Sequence, residues 1–211
     1  MTELKKMSIH RALTELKTLE ERIEKATSEA ITAVASRKSS DKINGVPVDE
    51  FEASIQGTYD KVVSLIAYRN RIKDAVVQSN ATTIINVSGK EMTVAKGIER
   101  KDSILYEKRL LQTMTLRYNK AVATVNKENE ALPQKLETYL TNILGSREKA
   151  SKDDVELHTR TFTERNEWVL IDPLKAAERI EKLREEIYAF EAEIDAVLSE
   201  SNAITTIEIE A

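Results

Sequence analysis

Residues 79–94 read Ser-Asn-Ala-Thr-Thr-Ile-Ile-Asn-Val-Ser-Gly-Lys-Glu-Met-Thr-Val, and they predict a helix end, a β-hairpin and a helix start in close succession. A β-branched run, a Ser-Gly turn and a second short run are typical of a hairpin, here at about residues 82–94. Asn80 can adopt the left-handed conformation that ends a helix. Thr93 stands directly before a long helical pattern, where an N-cap residue belongs.

The start of this stretch occurs three times in the chain. The copies are Ser-Glu-Ala-Ile-Thr-Ala-Val at 28–34, Ser-Asn-Ala-Thr-Thr-Ile-Ile at 79–85 and Ser-Asn-Ala-Ile-Thr-Thr-Ile at 201–207. Each copy follows a helical pattern and opens a β-branched run, so we expect three helices to deliver their C-termini to one small sheet. The last copy continues into a strand at about residues 203–210 with one apolar and one polar face.

Helical patterns surround these copies. One helix is predicted from about Thr2 to Ala26, and a second from an N-cap at Asp49 to about Asn80. A third pattern carries apolar residues at strict seven-residue intervals, the spacing of a supercoiled seam. Its positions are Ile104, Leu111, Tyr118, Val125, Leu132 and Tyr139. Pro133 should kink this helix or restart it, because its ring removes a backbone hydrogen bond.

The remaining segments complete a mainly α fold. Turn residues predict a loop at 38–48, and a charged connector at 145–154 precedes a weaker helical stretch at 155–168. Asp172-Pro173 predicts an N-cap followed by proline at the first helical position. The last helix shows apolar residues at steps of three and four, at Ile180, Leu183, Ile187, Phe190, Ile194 and Val197. We therefore predict an antiparallel long-helix bundle with a small β-sheet capping one end, in a single domain over residues 1–211.

The composition excludes several classes of protein. The chain has 211 residues, of which 41% are hydrophobic and 32% charged, with few Gly and Pro, and this favours helices over an all-β fold. Because there is no cysteine, a disulfide scaffold and a thiolate zinc site are both excluded. The polar start resembles no signal peptide, and the apolar runs are far shorter than the ~20 residues of a membrane span, so we expect a cytoplasmic protein.

Charge is distributed unevenly along the chain, although the net charge is only −4. Lys61 to Lys120 contains 12 Lys and Arg against 5 Asp and Glu, whereas Asp172 to Ala211 contains 4 against 11. Two interpretations remain open: the segments pack together with complementary faces, or the middle segment keeps a positive surface for an anionic ligand. An acidic chain with 5% aromatic residues does not favour nucleic-acid binding.

The junction of the hairpin and the third helix is the candidate binding site. Free N–H groups at a helix start favour an anion, and Gly97 would let a ligand approach the backbone closely. The candidate ligand-binding residues are Asn80, Thr82, Thr83, Lys90, Thr93, Lys96, Arg100 and Asn202. The alternative interpretation is structural, with Thr93 as an N-cap, the Asn residues as helix ends and the lysines as a solvated face.

No catalytic motif is recognisable in the sequence. The two histidines, His10 and His158, stand far apart, and we find no Gly-rich phosphate loop and no nucleophile elbow. We therefore expect no enzymatic activity, no cofactor and no metal. The two apolar seams offer more surface than one thin bundle needs, so we also expect a homo-oligomer, in the simplest case a dimer.

The stretch at 79–101 and the sequence Asp-Pro-Leu-Lys-Ala-Ala-Glu at 172–178 resemble a family of phage-encoded helical proteins without assigned activity. The layout is also distantly similar to the septicolysin-like bacterial proteins. The resemblance covers most of the chain and implies a phage origin, with no functional residues to carry over. Our hypothesis is a non-enzymatic protein that captures a small anionic, nucleotide-like ligand and sequesters a host immune signal. The alternative is a virion structural or assembly protein.

Overall fold

The computed structural model describes residues 4–145 and 150–210. These residues form a mainly α fold of long helices with small antiparallel sheets, which confirms the predicted fold class. The elements in chain order are β1 (Leu4–Ser8), α1 (Ile9–Glu29), β2 (Lys42–Ile43), β3 (Val46–Pro47), α2 (Val48–Thr82), β4 (Ile84–Val87), β5 (Lys90–Thr93), α3 (Val94–Glu130), α4 (Leu132–Leu144), α5 (Lys152–Asn166), α6 (Ala176–Ile204) and β6 (Thr206–Glu210). The chain divides into two compact units: the first unit comprises Met1–Asp102 and Phe190–Ala211, and the second unit comprises Ser103–Ala189.

The first unit contains the strands. The hairpin predicted at about 82–94 is formed by β4 and β5, and its turn residues Ser88 and Gly89 have φ angles of 52° and 77°. Glycine and short polar residues tolerate such positive φ angles, as a two-residue hairpin turn requires. The predicted loop at 38–48 contains a second, minimal hairpin of β2 and β3, which turns at Asn44 and Gly45 for the same reason.

The predicted helix from Thr2 is wrong at its start, because Leu4–Ser8 is strand β1. It pairs antiparallel with β6, from Leu4 opposite Glu210 to Ser8 opposite Thr206. The Ser8 hydroxyl then accepts a hydrogen bond from the Arg11 N–H at 3.3 Å and so caps α1. The prediction of one common sheet is also wrong: within the described residues the strands form three separate two-stranded sheets.

The three repeat copies lead into different structures. After 79–85 and 201–207 the chain enters β4 and β6 as predicted, but after α1 it has no regular structure at residues 30–37. The prediction of a strand after the first copy is therefore wrong. β6 instead finds its antiparallel partner at the other end of the chain, in β1.

Asn80 and Asn202 do not end their helices, which corrects the predicted role of both residues. Each lies inside its helix, and the non-glycine residues with positive φ in the described chain are Asn44, Ser88 and Lys175. The helices end two residues later, and the N–H groups of the residues that follow them, Thr83 and Thr205, donate to carbonyls four residues back at 2.8 and 2.9 Å. Asp49 likewise lies inside α2, which begins at Val48 without a side-chain cap.

The core of the first unit combines α1, α2 and the β1–β6 pair. Along β6, Ile207 and Ile209 are buried while their neighbours are exposed, which confirms the predicted alternation. The side chains that meet in this core are Met7, Ile9, Ala12, Leu19, Ile72, Val76, Ile207 and Ile209. Burying aliphatic side chains of this size stabilises a fold by roughly 1.5–3 kcal/mol each, so this cluster is what holds the non-local strand β1 in place.

The second unit is helical. Pro133 occupies the second position of α4, and α3 ends at Glu130. Ala131 between the two helices keeps αR backbone angles and i→i−4 hydrogen bonds on both sides, so the interruption before Pro133 is one residue long. The Tyr139 ring of α4 packs against Phe162 of α5, with ring centroids 4.7 Å apart. Part of the predicted connector at 145–154, namely residues 146–149, lies outside the described residues.

The start of α6 also differs from its prediction. The helix begins at Ala176 rather than at Pro173, because Lys175 has a φ of 51° and separates a turn from the helix. Asp172 still caps it, since its carboxylate accepts a hydrogen bond from the Ala176 N–H at 2.7 Å. No described helix has the length and apolar character needed to cross a membrane.

Candidate functional site

The end of α2 and the start of β6 line a groove of about 550 Å³ in the first unit. The groove therefore brings the second and third repeat copies side by side. Its polar lining residues include Gln78, Ser79, Thr82, Thr83, Thr205 and Thr206. We call this the threonine groove.

The backbone of this groove is fixed by the adjoining helices. The Thr83 carbonyl accepts a hydrogen bond from the Val94 N–H at 3.0 Å, and the Thr205 carbonyl accepts one from the Ile9 N–H at 2.9 Å. The Thr82 hydroxyl donates back to the Gln78 carbonyl at 3.1 Å, so its oxygen keeps lone pairs that can accept a hydrogen bond. A groove with hydroxyls held in this way suits a ligand with neutral polar groups.

The charge within the threonine groove is negative. Glu208 lines it, and the Lys6 Nζ lies 3.6 Å from the Glu208 carboxylate with both side chains more than half exposed. A pair so exposed is screened by water and contributes little stability. The carboxylate can therefore turn toward a ligand hydroxyl, and Lys6 stands beside it as a cation.

The cations predicted for the site lie in β5 and at the start of α3, and they do not line this groove. The Arg100 guanidinium stacks on the Phe190 ring, 4.6 Å from its centroid. Such a contact is a packing interaction, so the half-buried Arg100 belongs partly to the core face of its helix. Lys90 and Lys96 are exposed. The neighbouring Lys101 is paired with Asp195.

The helix start itself is also used for structure. The Thr93 hydroxyl accepts a hydrogen bond from the Lys96 N–H at 3.2 Å, as an N-cap does. A Cβ atom added at Gly97 would lie 3.0 Å from Ile85 Cδ1 and 3.2 Å from Ile194 Cδ1. The expectation that a ligand approaches the backbone at Gly97 is therefore wrong, because isoleucine side chains fill that space.

The structure thus separates the predicted site residues. Thr82 and Thr83 line the threonine groove, whereas Lys90, Thr93, Lys96 and Arg100 surround the hairpin and the start of α3. The half-buried Asn80 and Asn202 lie within their helices. Sequence reasoning missed Thr205 and Thr206 in the groove. The internal repeat contained the signal, because the third copy carries these two threonines where the second copy continues with Thr83 and Ile84.

A second polar cluster joins β1, α1 and α2 in the first unit. The Lys5 ammonium donates to the Tyr68 hydroxyl at 2.8 Å and lies 3.2 Å from Glu15, while the Tyr68 hydroxyl donates to Glu15 at 3.0 Å. The bond to Tyr68 raises the pKa of Lys5 above its ordinary value. Burial raises the pKa of Glu15, but hydrogen bonds from Tyr68 and Lys5 outweigh it and lower that pKa overall. Both groups stay charged at neutral pH, which suits a structural role better than proton transfer.

The second unit presents an apolar surface at Trp168–Ile171, which we call the apolar strip. The Asn129 side chain holds its backbone, because its amide oxygen accepts from the Trp168 N–H at 2.9 Å and its NH₂ donates to the Trp168 carbonyl at 2.8 Å. Val169 and Ile171 are 67% and 86% exposed. The strip borders a groove of about 440 Å³ that α3 lines with Arg117, Ala121 and Val125.

Residues 4–145 and 150–210 bring no three His, Asp or Glu side chains together in a way that could hold a metal ion. The resemblance to phage-encoded helical proteins stays a prediction. No protein-family model matches the chain, and neither a curated protein nor a solved structure matches it significantly.

Proposed function

We propose that this protein is a non-enzymatic binding protein that captures a small nucleotide-like ligand in the threonine groove. The observation that carries the proposal is the convergence of two repeat ends, 79–83 and 205–206, on one groove with several hydroxyls. The groove combines a concave shape with convergent polar side chains, and such a combination is typical of small-ligand sites.

The charges of the groove suggest how such a ligand would be oriented. Glu208 disfavours a phosphate inside the groove but can accept hydrogen bonds from sugar hydroxyls, a role that acidic residues play at many ribose sites. Thr205 and Thr206 can donate to or accept from the same sugar or a base edge. Lys6, beside Glu208, would then meet the phosphate at the rim.

The biological purpose that fits a small capturing protein without catalysis is sequestration. If the resemblance to phage-encoded proteins holds, the ligand is a nucleotide signal of the host defence and the protein removes it from solution. The resemblance to phage-encoded proteins is what supports this purpose.

The test replaces two threonines of the groove by the isoleucines that the other repeat copy carries at the corresponding positions. At the repeat offset of 122 residues, Thr82 corresponds to Ile204, and Thr206 corresponds to Ile84. All four positions are exposed. The double variant Thr82→Ile with Thr206→Ile should therefore fold as the parent does while losing two of the groove hydroxyls. Its matched control exchanges the opposite pair, Ile84→Thr with Ile204→Thr.

The measurement is the thermal shift with a panel of nucleoside monophosphates, linear dinucleotides and cyclic dinucleotides. A true ligand at a hundredfold excess over its Kd stabilises the parent by about 2.7 kcal/mol. We expect this gain in the parent and in the control, and its loss in the Thr82→Ile, Thr206→Ile variant. The proposal is wrong if no member of the panel stabilises the parent, or if the double variant binds as well as the parent.

A second candidate function, as an assembly component of a virion, is favoured by the apolar strip. Monomeric proteins rarely leave several neighbouring large apolar side chains exposed, because water disfavours such patches. Val169, Ile171 and Leu174 are each more than half exposed in the second unit. A virion component would use this surface for protein contacts, and it would be recovered with purified particles.

A further inference from the structure

We propose that the first unit contains two equivalent copies of one helix–strand–strand–helix module, and that the second copy is assembled from the first and last elements of the described chain. The first copy is continuous: the end of α2, β4, β5 and the start of α3. The second copy is the end of α6, β6, β1 and the start of α1. In the second copy no turn joins the two strands directly, because β1 is the first and β6 the last described strand of the chain.

The helix ends agree between the copies. The Thr83 N–H donates to the Ser79 carbonyl at 2.8 Å, and the Thr205 N–H donates to the Ser201 carbonyl at 2.9 Å. The two serines and the two threonines are each 122 residues apart. The same offset relates the buried Ile72 to the buried Ile194.

The helix starts agree at a different offset, 85 residues. Val94 at the start of α3 donates its N–H to the Thr83 carbonyl at 3.0 Å, and Ile9 at the start of α1 donates to the Thr205 carbonyl at 2.9 Å. The residue before each is an N-cap: the Thr93 hydroxyl accepts from an N–H three residues on at 3.2 Å, and the Ser8 hydroxyl does so at 3.3 Å.

The strand pairs agree in register and burial. Met92 lies opposite Ile85 in the β4–β5 pair, and Met7 lies opposite Ile207 in the β1–β6 pair. All four side chains are buried. In each copy the N-cap residue lies opposite the first residue of the partner strand. The fourth residue of the following helix is small and buried in both copies, as Gly97 and Ala12.

The equivalence is hard to detect in the sequence because the two halves of the module are related by two different residue offsets. For the helix end and the first strand, the second copy follows the first by 122 residues. For the second strand and the helix start, the second copy precedes the first by 85 residues. A comparison at one offset finds only half of the module. The match is complete only when β6 is read onward into β1, across the chain ends.

The copies have diverged on their surfaces while keeping the buried pattern. Thr82 and Thr206 of the threonine groove correspond to the exposed Ile204 and Ile84. Tyr68 of the polar cluster corresponds to Phe190, which Arg100 covers. The threonine groove takes Thr82 from the first copy and Thr206 from the second, so both copies contribute to it, and the positions equivalent to these two threonines carry isoleucine.

The test is a circular permutation, which moves the chain ends from one copy to the other. Joining Ala211 to Met1 places four residues between the paired Glu210 and Leu4, a common length for a hairpin loop. The new ends lie between Ser88 and Gly89, in the turn of the first copy. A matched control has the same join but opens at Gly57, within α2.

We expect the permutant opened at Ser88 to show the parent's helical content and a Tm within about 4 °C of the parent. The control opened at Gly57 should unfold at a much lower temperature or without cooperativity, because it cuts a helix of the core. If the permutant opened at Ser88 is unfolded, or is no more stable than the control, the two copies are not equivalent.

A second measurement does not depend on permutation. Ser8→Ala and Thr93→Ala remove the equivalent N-caps, so the two variants should lower the Tm by amounts within about twofold of each other. A lower Tm for one of the two variants with an unchanged Tm for the other would overturn the equivalence. Neither test involves a ligand, so both can fail or succeed whatever the outcome for the threonine groove.

Discussion

Single residues in this protein often have partners that lie far away along the chain, and the cluster of Lys5, Tyr68 and Glu15 is the clearest case. Removing the phenol with Tyr68→Phe should lower the free energy of unfolding by about 0.5–1.5 kcal/mol at pH 7, since the hydrogen bonds are partly exposed. Phenylalanine itself should fit, because Phe190 occupies the corresponding position of the other copy.

The pH dependence of this difference has a defined sign. Because the pKa of Glu15 is lowered from 4.5, its contribution is present above that pH and is lost as the pH falls. Because the pKa of Lys5 is raised from 10.5, its contribution is present below that pH and is lost as the pH rises further. Urea unfolding of parent and Tyr68→Phe should therefore differ more at pH 7 than at pH 3. Tyr59→Phe, at an exposed position of α2, is the control, and an equal difference at both pH values would refute the prediction.

Long-range partners also explain which site residues the sequence could predict. The capping role of Thr93 is visible locally, since a threonine before an amphipathic run is a common N-cap. The role of Arg100 is not, because its partner Phe190 lies 90 residues further along the chain. A lone sequence shows the charge of a residue but not the ring or carboxylate that covers it.

At the scale of elements, the sequence predicts the helices because their periodicity is local. It predicts strands only where two of them follow each other in a hairpin. β4 and β5 follow each other across a Ser-Gly turn, and the sequence predicts both. The sequence predicts helix for the residues of β1, because the pairing partner of this strand, β6, lies about 200 residues further along the chain. Five residues with one buried position carry too weak a pattern to identify such a strand.

The segment between α5 and α6, residues 167–175, is held to α3 by one side chain. It has no regular structure, and Asn129 replaces the missing backbone pairing with two hydrogen bonds to Trp168. Asn129→Ala should release the segment and lower the free energy of unfolding by about 1 kcal/mol. Because Trp168 is the only tryptophan, its fluorescence should shift to the red as the ring becomes more exposed. Asn126→Ala, at an exposed position one turn earlier in α3, should leave the emission unchanged. An unshifted spectrum in Asn129→Ala would show that the amide does not hold the segment.

For the whole molecule, the exposed apolar strip bears on how the protein associates. We expect a second copy to do so, because leaving Val169 and Ile171 in water forgoes roughly 1–3 kcal/mol for each side chain that an interface would bury. The parent should then behave as a dimer of about 48 kDa, twice 23.8 kDa, in light scattering at micromolar concentration. Ile171→Glu should dissociate it, because a charge cannot be buried there without a partner.

The choice of Ile171 makes this prediction specific to the strip. Its side chain is 86% exposed, so glutamate costs the folded monomer little, and Ile204→Glu in the first unit is a control at 81% exposure. If Ile204→Glu dissociates the dimer and Ile171→Glu does not, the interface lies in the first unit and the strip serves another contact. If the parent itself scatters as a monomer of 23.8 kDa, self-association is wrong. The strip would then be left for a different protein, which is the result that a component of a larger assembly would give.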